Sequence, residues 1–257
     1  MDFRQMFGLD GRAALITGAS SGLGLHIART YALAGAKVAL AARRRERVEA
    51  EAAALRSQGH QACAVTLDVT RPETFADVWR QAATELGRPI DILFNNAGIL
   101  YSERFLDQDR AQVEAAFDTN LKGAFLMAQE AARRMTESGG GAIVNVSSTS
   151  ALRAGGRMSS YGATKAALIN LTQVMALELA SKKIRVNALC PGNFETEMHA
   201  AFEHQGIAEA ILKRIPQRRF GVPPDLDGAA LLLVSDAGSY ITGAVITVDG
   251  GQTLSWM

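Results

Sequence analysis

The chain has 257 residues, of which 48% are apolar and 21% charged, and its 27 basic residues nearly balance its 26 acidic ones. These values are typical of a globular protein and exclude an intrinsically disordered chain, which has few apolar residues and a large net charge. A formal charge of +1 gives no electrostatic basis for a nucleic-acid partner. A chain of this length forms one large α/β domain or two small ones.

The cysteines and the apolar runs indicate the cellular environment that the chain is suited to. Cys63 and Cys190 are too few for a disulfide framework and lack the spacing of a metal site, so we expect no metal and a reducing, cytoplasmic environment. Residues 1–11 lack the apolar segment of a signal peptide. Because no run approaches the roughly 18 consecutive apolar residues of a membrane span, we expect no membrane partner.

Short apolar runs alternate along the chain with longer segments of helical periodicity. Several runs are continuously apolar, which is typical of parallel strands buried on both faces. Repeated strand–helix units predict a doubly wound α/β sheet, whose ligands bind beyond the carboxyl ends of the strands. The predicted strands are Ala13–Thr17, Val38–Ala42, Ala62–Leu67, Ile90–Asn95, Ala142–Ser147, Arg185–Leu189 and Val245–Val248, and the predicted helices are Gly22–Ala34, Arg44–Ser57, Pro72–Leu86, Asp109–Glu137, Ser159–Ser181 and Asp225–Ser235.

A glycine-rich loop, Thr17–Gly24, joins the first predicted strand to the first predicted helix. Glycines let the backbone turn sharply and approach a ligand, and the free N–H groups at a helix start suit a pyrophosphate. Such a loop can also be a plain turn, but its position after the first strand favours a dinucleotide site. Its G-x-x-x-G-x-G spacing differs from the G-x-G-x-x-G of common dinucleotide-binding domains.

Further motifs follow this loop in order. Asn95–Gly98 reads N-N-A-G, and Asn120, Ser148 and a Tyr161-x-x-x-Lys165 pair come after it. With the T-G-x-x-x-G-x-G loop, this set resembles the short-chain dehydrogenase/reductase family over nearly the whole chain. The resemblance implies a single-domain Rossmann-like doubly wound fold over residues 1–257, with about seven parallel strands and helices on both faces. It also implies reversible hydride transfer between a nicotinamide cofactor and a secondary alcohol/ketone pair.

The predicted catalytic residues surround a tyrosine. Tyr161 and Lys165 are four residues apart on a predicted helix and so share one face. A nearby ammonium favours the phenolate, which brings a tyrosine pKa of about 10 toward the working pH. The resemblance implies that Tyr161 is the general acid/base, that Ser148 binds the substrate oxygen, and that a water lies between the Asn120 carbonyl and Lys165. Ser147 is the rival of Ser148, and the spacing to Tyr161 favours Ser148.

The end of the second predicted strand bears on the choice of cofactor. Ala42 stands where NAD-preferring relatives usually carry Asp, and Arg43 follows it. Because arginine suits the 2′-phosphate, NADP(H) is favoured over NAD(H). Residues 43–45 are three arginines at a helix start, where a bound anion would relieve their repulsion by the helix dipole. The alternative is a solvated basic turn, and Ser21 stands where many NADP-using relatives have a basic residue.

The resemblance implies further cofactor contacts at the strand ends. Asp68 is assigned to the adenine amino group, although it could equally form a helix cap with Thr70. Asn95 and Asn96 are divided between structural and cofactor roles, and Thr196 is the expected contact of the nicotinamide carboxamide. The expected cofactor residues are Gly18, Ser20, Ser21, Gly22, Leu23, Gly24, Arg43, Asp68, Val69, Asn96, Ala97, Gly98, Tyr161, Lys165, Pro191, Gly192, Phe194 and Thr196.

Residues 193–224 have a weaker pattern and are expected to form a substrate lid that excludes water on closing. His199 and His204 are not expected to be catalytic, because Tyr161 already fills the acid–base role. The side chains expected to line the lid are Phe194, Met198, His199 and Phe202.

The motifs leave the substrate open between a 3-oxoacyl thioester and a sugar or polyol. The alternative function is a non-catalytic dinucleotide-binding sensor or scaffold, against which the intact catalytic set argues. Wide apolar stripes on Asp109–Glu137 and Ser159–Ser181 predict a homodimer or homotetramer, because relatives pair such helices. In such an assembly we expect Trp256 to be mostly buried.

Overall fold

The predicted alternation of strands and helices is present in the computed structural model, which describes residues 3–196 and 208–255. The strands are β1 (Ala13–Thr17), β2 (Lys37–Ala42), β3 (Ala62–Thr66), β4 (Ile92–Asn95), β5 (Gly141–Val146), β6 (Ile184–Pro191) and β7 (Val245–Val248). The helices are α1 (Phe3–Phe7), α2 (Gly22–Leu33), α3 (Arg45–Ser57), α4 (Phe75–Leu86), α5 (Arg110–Phe117), α6 (Ala124–Ser138), α7 (Ser159–Leu179), α8 (Ala208–Arg214) and α9 (Asp227–Val234). Within residues 3–196 and 208–255, no helix is long and apolar enough to cross a bilayer.

The seven strands form one sheet in the order β3-β2-β1-β4-β5-β6-β7, and every neighbouring pair is parallel. This confirms the predicted doubly wound, Rossmann-like sheet. The strand order reverses between β1 and β4, which are paired from Ala14↔Ile92 to Ile16↔Phe94. A crevice therefore opens beyond the carboxyl ends of these two strands, where ligands of this architecture bind.

Helices cover both faces of the sheet because alternate residues of each strand point to opposite faces. In β1, Ala14 and Ile16 join the apolar cluster that includes α2, α3 and α9, whereas Ala13 and Leu15 join the cluster that includes α4 and α6. All four are fully buried. The central strands are thus apolar throughout because neither face meets water. A rigid, dry sheet holds the loops at its carboxyl edge in place.

The long helix predicted at Asp109–Glu137 is interrupted. A π-helical segment, Asp118–Gly123, separates α5 from α6, and it contains Asn120. At the interruption the helix lies close to the loop after β3. A Cβ on Gly123 would collide there with the Val69 carbonyl oxygen. Such π-segments are frequent at functional sites.

Other predicted boundaries need small corrections. The fourth strand begins at Ile92 and not at Ile90, and β6 continues beyond Leu189 to Pro191. The predicted helices at 72–86, 159–181 and 225–235 each have a 3₁₀ turn at one end. The helices α1 and α8 were not predicted, because both are short and lie in segments of weak apolar periodicity.

Candidate active site

Two adjoining cavities lie at the carboxyl edge of the sheet, and Gly98 lines both. The larger, of about 530 Å³, contains Tyr161 and is called the reactive cavity below. The smaller, of about 320 Å³, contains Arg43 and Asp68. Of the predicted site residues, Leu23, Asn96, Gly98, Ser148, Tyr161, Lys165, Pro191, Gly192, Phe194 and Thr196 line the reactive cavity, and Gly18, Ser20, Ser21, Arg43, Asp68, Val69 and Ala97 line the smaller one.

Tyr161 and Ser148 face each other in the reactive cavity, close enough for the Ser148 hydroxyl to act on the pKa of the phenol. Tyr161 projects from the first turn of α7, and Ser148 follows β5, where its Oγ also accepts a 3.1 Å hydrogen bond from the Ser150 amide. Burial raises the pKa of the Tyr161 phenol above its ordinary value, while the hydrogen bond with Ser148 acts in the opposite direction. The phenol is therefore protonated near neutral pH, in the form that can donate a proton.

Lys165 lies one turn beyond Tyr161, with its Nζ 5.8 Å from the centre of the tyrosine ring. The side chain is buried, and Nζ donates a 2.8 Å hydrogen bond to the Val146 carbonyl. Burial disfavours the ammonium and lowers the pKa of Lys165 to about 8. The charge of this lysine consequently changes close to neutral pH.

The two neighbouring serines have different partners. Ser147 Oγ donates a 2.8 Å hydrogen bond to the Lys165 carbonyl and so fixes α7 against β5. Ser148, by contrast, contacts Tyr161. This difference supports the assignment that the spacing favoured, with Ser148 facing the reacting group and Ser147 holding the helix.

Asn120 lines neither cavity but holds the loop that separates them. It is fully buried, its Oδ1 accepts from the Ile99 amide at 2.8 Å, and its Nδ2 donates to the Ile99 carbonyl at 2.9 Å. A Cβ on Gly98 would lie 3.1 Å from Asn120 Oδ1 and 3.4 Å from Lys165 Nζ. The π-helical segment thus positions the loop after β4 beside the lysine.

The glycines of the loop stand where the backbone conformation or a close neighbour disfavours a side chain. Gly18 and Gly22 have φ of +70° and +56°, in the left-handed region that favours glycine. Cβ atoms on Gly18 and Gly24 would press on Asn96, and one on Gly24 would also lie 2.7 Å from the Gly18 carbonyl oxygen. Neither Gly22 nor Gly24 lines either of the two cavities, so what the structure shows for them is their part in the conformation and packing of the loop.

The asparagines of the N-N-A-G motif have structural partners. Thr17 Oγ1 accepts 2.9 Å hydrogen bonds from the amides of both Asn96 and Ala97, and Asn96 Nδ2 donates to the Thr17 carbonyl at 3.0 Å. Asn95 Nδ2 donates to the Ala124 carbonyl at 2.8 Å. The sequence left structural and cofactor roles open for these side chains. In the structure their contacts join β1, β4 and α6.

The smaller cavity combines two arginines with one carboxylate. Arg44 donates hydrogen bonds to Ser20 Oγ at 2.8 Å and to Ser21 Oγ at 2.6 Å, so its charge lies over the glycine-rich loop. Asp68 Oδ1 accepts hydrogen bonds from the Thr70 amide at 3.0 Å and from the Thr70 hydroxyl at 2.7 Å. Thr70 is the partner that the sequence analysis considered for Asp68 in a helix cap.

The Asp68 carboxylate is also tuned by its surroundings. Desolvation acts to raise the pKa of Asp68, but the hydrogen bonds from Thr70 and the nearby charge of Arg43 together bring it below the usual value. An ionised acceptor therefore stands beside the cationic strand end.

The ends of the predicted lid are joined to each other. The Glu195 amide donates to the Gly221 carbonyl and the Gly221 amide to the Asn193 carbonyl, both at 2.9 Å, and Phe194 is buried in the core at this bridge. Thr196 borders the reactive cavity and lies next to the glycine-rich loop, within 3.9 Å of a Cβ on Gly22. Met198, His199, Phe202, His204 and Trp256 lie outside the described residues.

Sequence reasoning missed several polar residues of the reactive cavity, namely Ser150, Arg157, Asn193, Arg214 and Gln252. Gln252 follows a Gly-Gly pair after the last strand, and Arg157 has φ of +67° after another Gly-Gly pair. Those glycine pairs were the available signal. Cys190 is buried with its pKa raised by desolvation, which fits the absence of a thiolate role. Among the described residues no His, Cys, Asp and Glu cluster could hold a metal ion.

These features fit a dinucleotide. A glycine-rich turn, in which Cβ atoms on Gly18 and Gly24 would clash, lies beside two cavities. One cavity carries an ionised carboxylate and arginines, and the other carries a phenol beside a lysine. A doubly wound sheet with this site defines a nicotinamide-dependent oxidoreductase, because the phenol–lysine pair is suited to proton exchange beside a bound cofactor.

Comparison with known proteins gives the family. The model of a family described as enoyl-(acyl carrier protein) reductase matches residues 18–253. Over 99% of its length the chain is 39% identical to the whole of galactitol 2-dehydrogenase (L-tagatose-forming) of Cereibacter sphaeroides. A short-chain type dehydrogenase/reductase from Mycobacterium marinum superimposes with a TM-score of 0.91 at 40% identity, covering 97% of this chain and 98% of that one.

A gluconate 5-dehydrogenase from Burkholderia cenocepacia J2315, in complex with NADP and tartrate, superimposes with a TM-score of 0.95 at 35% identity, covering 99% of this chain and 100% of that one. The chain belongs to the short-chain dehydrogenase/reductase family, and it is an NAD(P)-dependent oxidoreductase of the alcohol/ketone class.

Proposed function

We propose that the chain interconverts a secondary alcohol and a ketone of a sugar or polyol, with NADP(H) as the preferred cofactor. The observation that carries the proposal is that Tyr161, Ser148 and the buried Lys165, which lies one turn beyond Tyr161, line one cavity. The similarity to galactitol 2-dehydrogenase supports a polyhydroxylated substrate over a 3-oxoacyl thioester. A sensor or scaffold has no need of an acid–base group held in this way.

In the direction of reduction, Tyr161 gives its phenolic proton to the substrate oxygen. Its raised pKa suits this step, because burial keeps the phenol protonated. Ser148 donates a hydrogen bond to the same oxygen and stabilises the charge that develops there. The nicotinamide, when bound, supplies the hydride in this direction and accepts it in the reverse one.

In the direction of oxidation, Tyr161 must accept a proton, and a positive Lys165 favours the phenolate that does so. A lysine pKa of about 8 lets this side chain gain and lose a proton near neutral pH. We assign to the Asn120 carbonyl and Lys165 the water through which the proton reaches solvent. Asn120 keeps the adjoining loop in place through its two hydrogen bonds to Ile99.

The cofactor is held along the carboxyl edge of the sheet. We assign the pyrophosphate to the loop Gly18–Gly24, the adenine to Asp68 and Val69, the ribose to the loop Asn96–Gly98 with Tyr161 and Lys165, and the carboxamide to Pro191–Thr196. Support comes from the glycine-rich loop and from the ionised state of Asp68.

Preference for NADP(H) rests on Arg43, which lines the smaller cavity and directly follows Ala42. Arginine pairs well with phosphate, and the last position of β2 holds Ala42 in place of the Asp that would bind a ribose 2′-hydroxyl. Arg44 provides the second cation, which bridges the loop serines in this structure. The similarity to a dehydrogenase crystallised with NADP is in keeping with this choice.

We further propose that residues 1–257 act as one domain, with residues 193–224 as a lid over the substrate. The bridge between Phe194 and Gly221 supplies a fixed base for such a lid. Half-exposed Phe117 and Phe125 and strongly exposed Leu177 lie on α5, α6 and α7, which supports a homodimer or homotetramer paired through these helices. Two buried free thiols suit the reducing cytoplasm.

Initial rates test the proposal. Nicotinamide absorbance is followed with NADPH and with NADH over ketoses, polyols, aldonates, 3-oxoacyl thioesters and steroids, for the wild type and Tyr161→Phe. We expect turnover of a polyhydroxylated substrate with NADP(H). In Tyr161→Phe we expect turnover to fall about 10²–10⁴-fold, with a far smaller loss of NADPH affinity. Equal turnover in Tyr161→Phe contradicts the mechanism, and turnover of thioesters alone contradicts the substrate class.

A further inference from the structure

The charge inside the reactive cavity has one sign. Three cationic side chains line it, those of Arg157, Lys165 and Arg214, and the described residues of its lining include no Asp or Glu. A cavity lined by one sign of charge concentrates ligands of the opposite sign. A neutral polyol has no need of such a lining, whereas an acid does.

Two of these cations are already engaged. Lys165 is buried on the Val146 carbonyl, beside the reacting tyrosine. Arg157 pairs with Glu103 at 3.0 Å, and this carboxylate neutralises it. Arg214 is different, because its guanidinium forms no ion pair with an acidic group of the described residues. It is the free positive charge of the cavity among the residues that the structure describes.

Arg214 also has suitable polar neighbours. It also borders a third cavity, of about 380 Å³, which adjoins the reactive cavity. Ser150 and Gln252 line this third cavity too, and its described lining again contains no acidic residue. Gln252 Oε1 accepts a 2.9 Å hydrogen bond from Asn193 Nδ2. This bond orients the Gln252 amide and leaves its nitrogen as a hydrogen-bond donor. An arginine, an amide donor and a hydroxyl form the donor set that a carboxylate and its neighbouring hydroxyl require.

We propose that Arg214 binds the carboxylate of the substrate, and that the substrate is a polyhydroxy acid of the aldonate type, not a neutral polyol. This inference rests on the proposed function, because it names the substrate class of the same site. Arg214 acts as a specificity-determining residue, while Tyr161 and Ser148 act on the secondary hydroxyl or ketone. Gln252 donates to the carboxylate or to the adjacent hydroxyl.

A purely structural role for Arg214 is the alternative. It ends α8, and a cation at a helix C-terminus is stabilising. The neighbouring Lys213 offers a matched control, because it lies in the same last turn, pairs with Glu209 at 2.9 Å and does not line the reactive cavity. A helix-dipole or general surface-charge effect would make Arg214→Gln and Lys213→Gln behave alike.

The test compares aldonates of four to six carbons with the alditols of the same configuration. Oxidation by NADP⁺ is measured for the wild type, Arg214→Gln, Arg214→Lys and Lys213→Gln. We expect the wild type to prefer aldonates, Arg214→Gln to raise their KM at least tenfold with little change in kcat, and Arg214→Lys to recover part of the loss. Lys213→Gln and all rates with alditols should be unaffected.

Binding is measured separately by titrating D-gluconate into the enzyme with saturating NADPH, a complex that cannot turn over. A Kd at least tenfold weaker in Arg214→Gln supports the proposal. Preference for alditols, equal losses in Arg214→Gln and Lys213→Gln, or a loss of NADPH affinity in place of aldonate affinity overturns it. Absence of turnover with every substrate class and both cofactors contradicts the proposed function itself, whereas alditol turnover without aldonate binding contradicts only the role of Arg214.

Discussion

Replacing Gly24 by alanine tests whether the glycine-rich loop is shaped by close packing. The added methyl would meet the Asn96 side-chain amide and would lie 2.7 Å from the Gly18 carbonyl oxygen and 3.0 Å from its carbon. Overpacking costs about 1–3 kcal/mol, and displacing Asn96 from the Thr17 carbonyl removes a hydrogen bond of about 1 kcal/mol. Alanine in a helix returns about 0.5–1 kcal/mol, so we expect a net loss of about 1–3 kcal/mol.

For a protein of this size each kcal/mol lowers Tm by about 2–4 °C, so Gly24→Ala should melt roughly 2–12 °C below the wild type. NADPH affinity, measured by fluorescence titration, should fall at the same time because the loop must move. Gly228→Ala is the matched control, since it makes the same change in α9, where a Cβ meets no atom within 4 Å. If Gly24→Ala is as stable as Gly228→Ala and binds NADPH normally, the close-packing argument is wrong.

Three further predictions concern the two cavities. Arg43→Ala should weaken the binding of NADPH at least tenfold more than the binding of NADH in equilibrium titrations. Arg45 does not line the cavity, so Arg45→Ala should affect the two affinities alike. Equal losses of both affinities in Arg43→Ala would show that Arg43 does not bind the 2′-phosphate. Ser148→Ala should lower kcat about 10²–10³-fold. Ser147→Ala should instead cost about 1 kcal/mol of stability by freeing the Lys165 carbonyl, so similar kinetic losses in both would contradict the division of roles. The Lys165 pKa, lowered to about 8 from 10.5, makes the native state bind fewer protons than the unfolded chain between these values, so the free energy of unfolding should rise with pH there. Lys165→Met should lose that rise in urea titrations at pH 7.5 and 10, and an unchanged rise would show that another group causes it.

The sequence predicted the sheet well because its signals are local. Every predicted strand is present within two residues at each end, since parallel strands buried on both faces are short apolar runs between helical segments. The glycine spacing placed the loop after β1 because glycines at these positions are a local signal for a tight turn. The π-helical segment was not predicted, since Asp118–Gly123 lies within the single helix predicted over Asp109–Glu137.

The candidate site was predicted in part. Order and spacing identified Tyr161, Lys165 and Ser148, but they did not show that Ser147 holds the Lys165 carbonyl or that Asn96 is bonded to Thr17. Such partners depend on which strand ends become neighbours, which is a property of the completed sheet. Arg214 was missed for the same reason, because a cation in a segment of weak periodicity carries no local sign that it faces a cavity.

The position of β1 in the sheet affects how the chain folds while it is being synthesised. β2 (Lys37–Ala42) follows β1 closely in the chain, whereas β4, which pairs with the other edge of β1, begins only at Ile92 and is synthesised later. Until then a fully apolar strand edge is open to wrong partners, and such edges promote aggregation. The hydrogen bonds of Thr17 with Asn96 and Ala97 close this edge at its carboxyl end. The glycine-rich loop can pack on Asn96 only after that closure. With the proposed cofactor site on this loop, we expect a nicotinamide nucleotide to stabilise only a nascent chain in which β4 is already paired with β1.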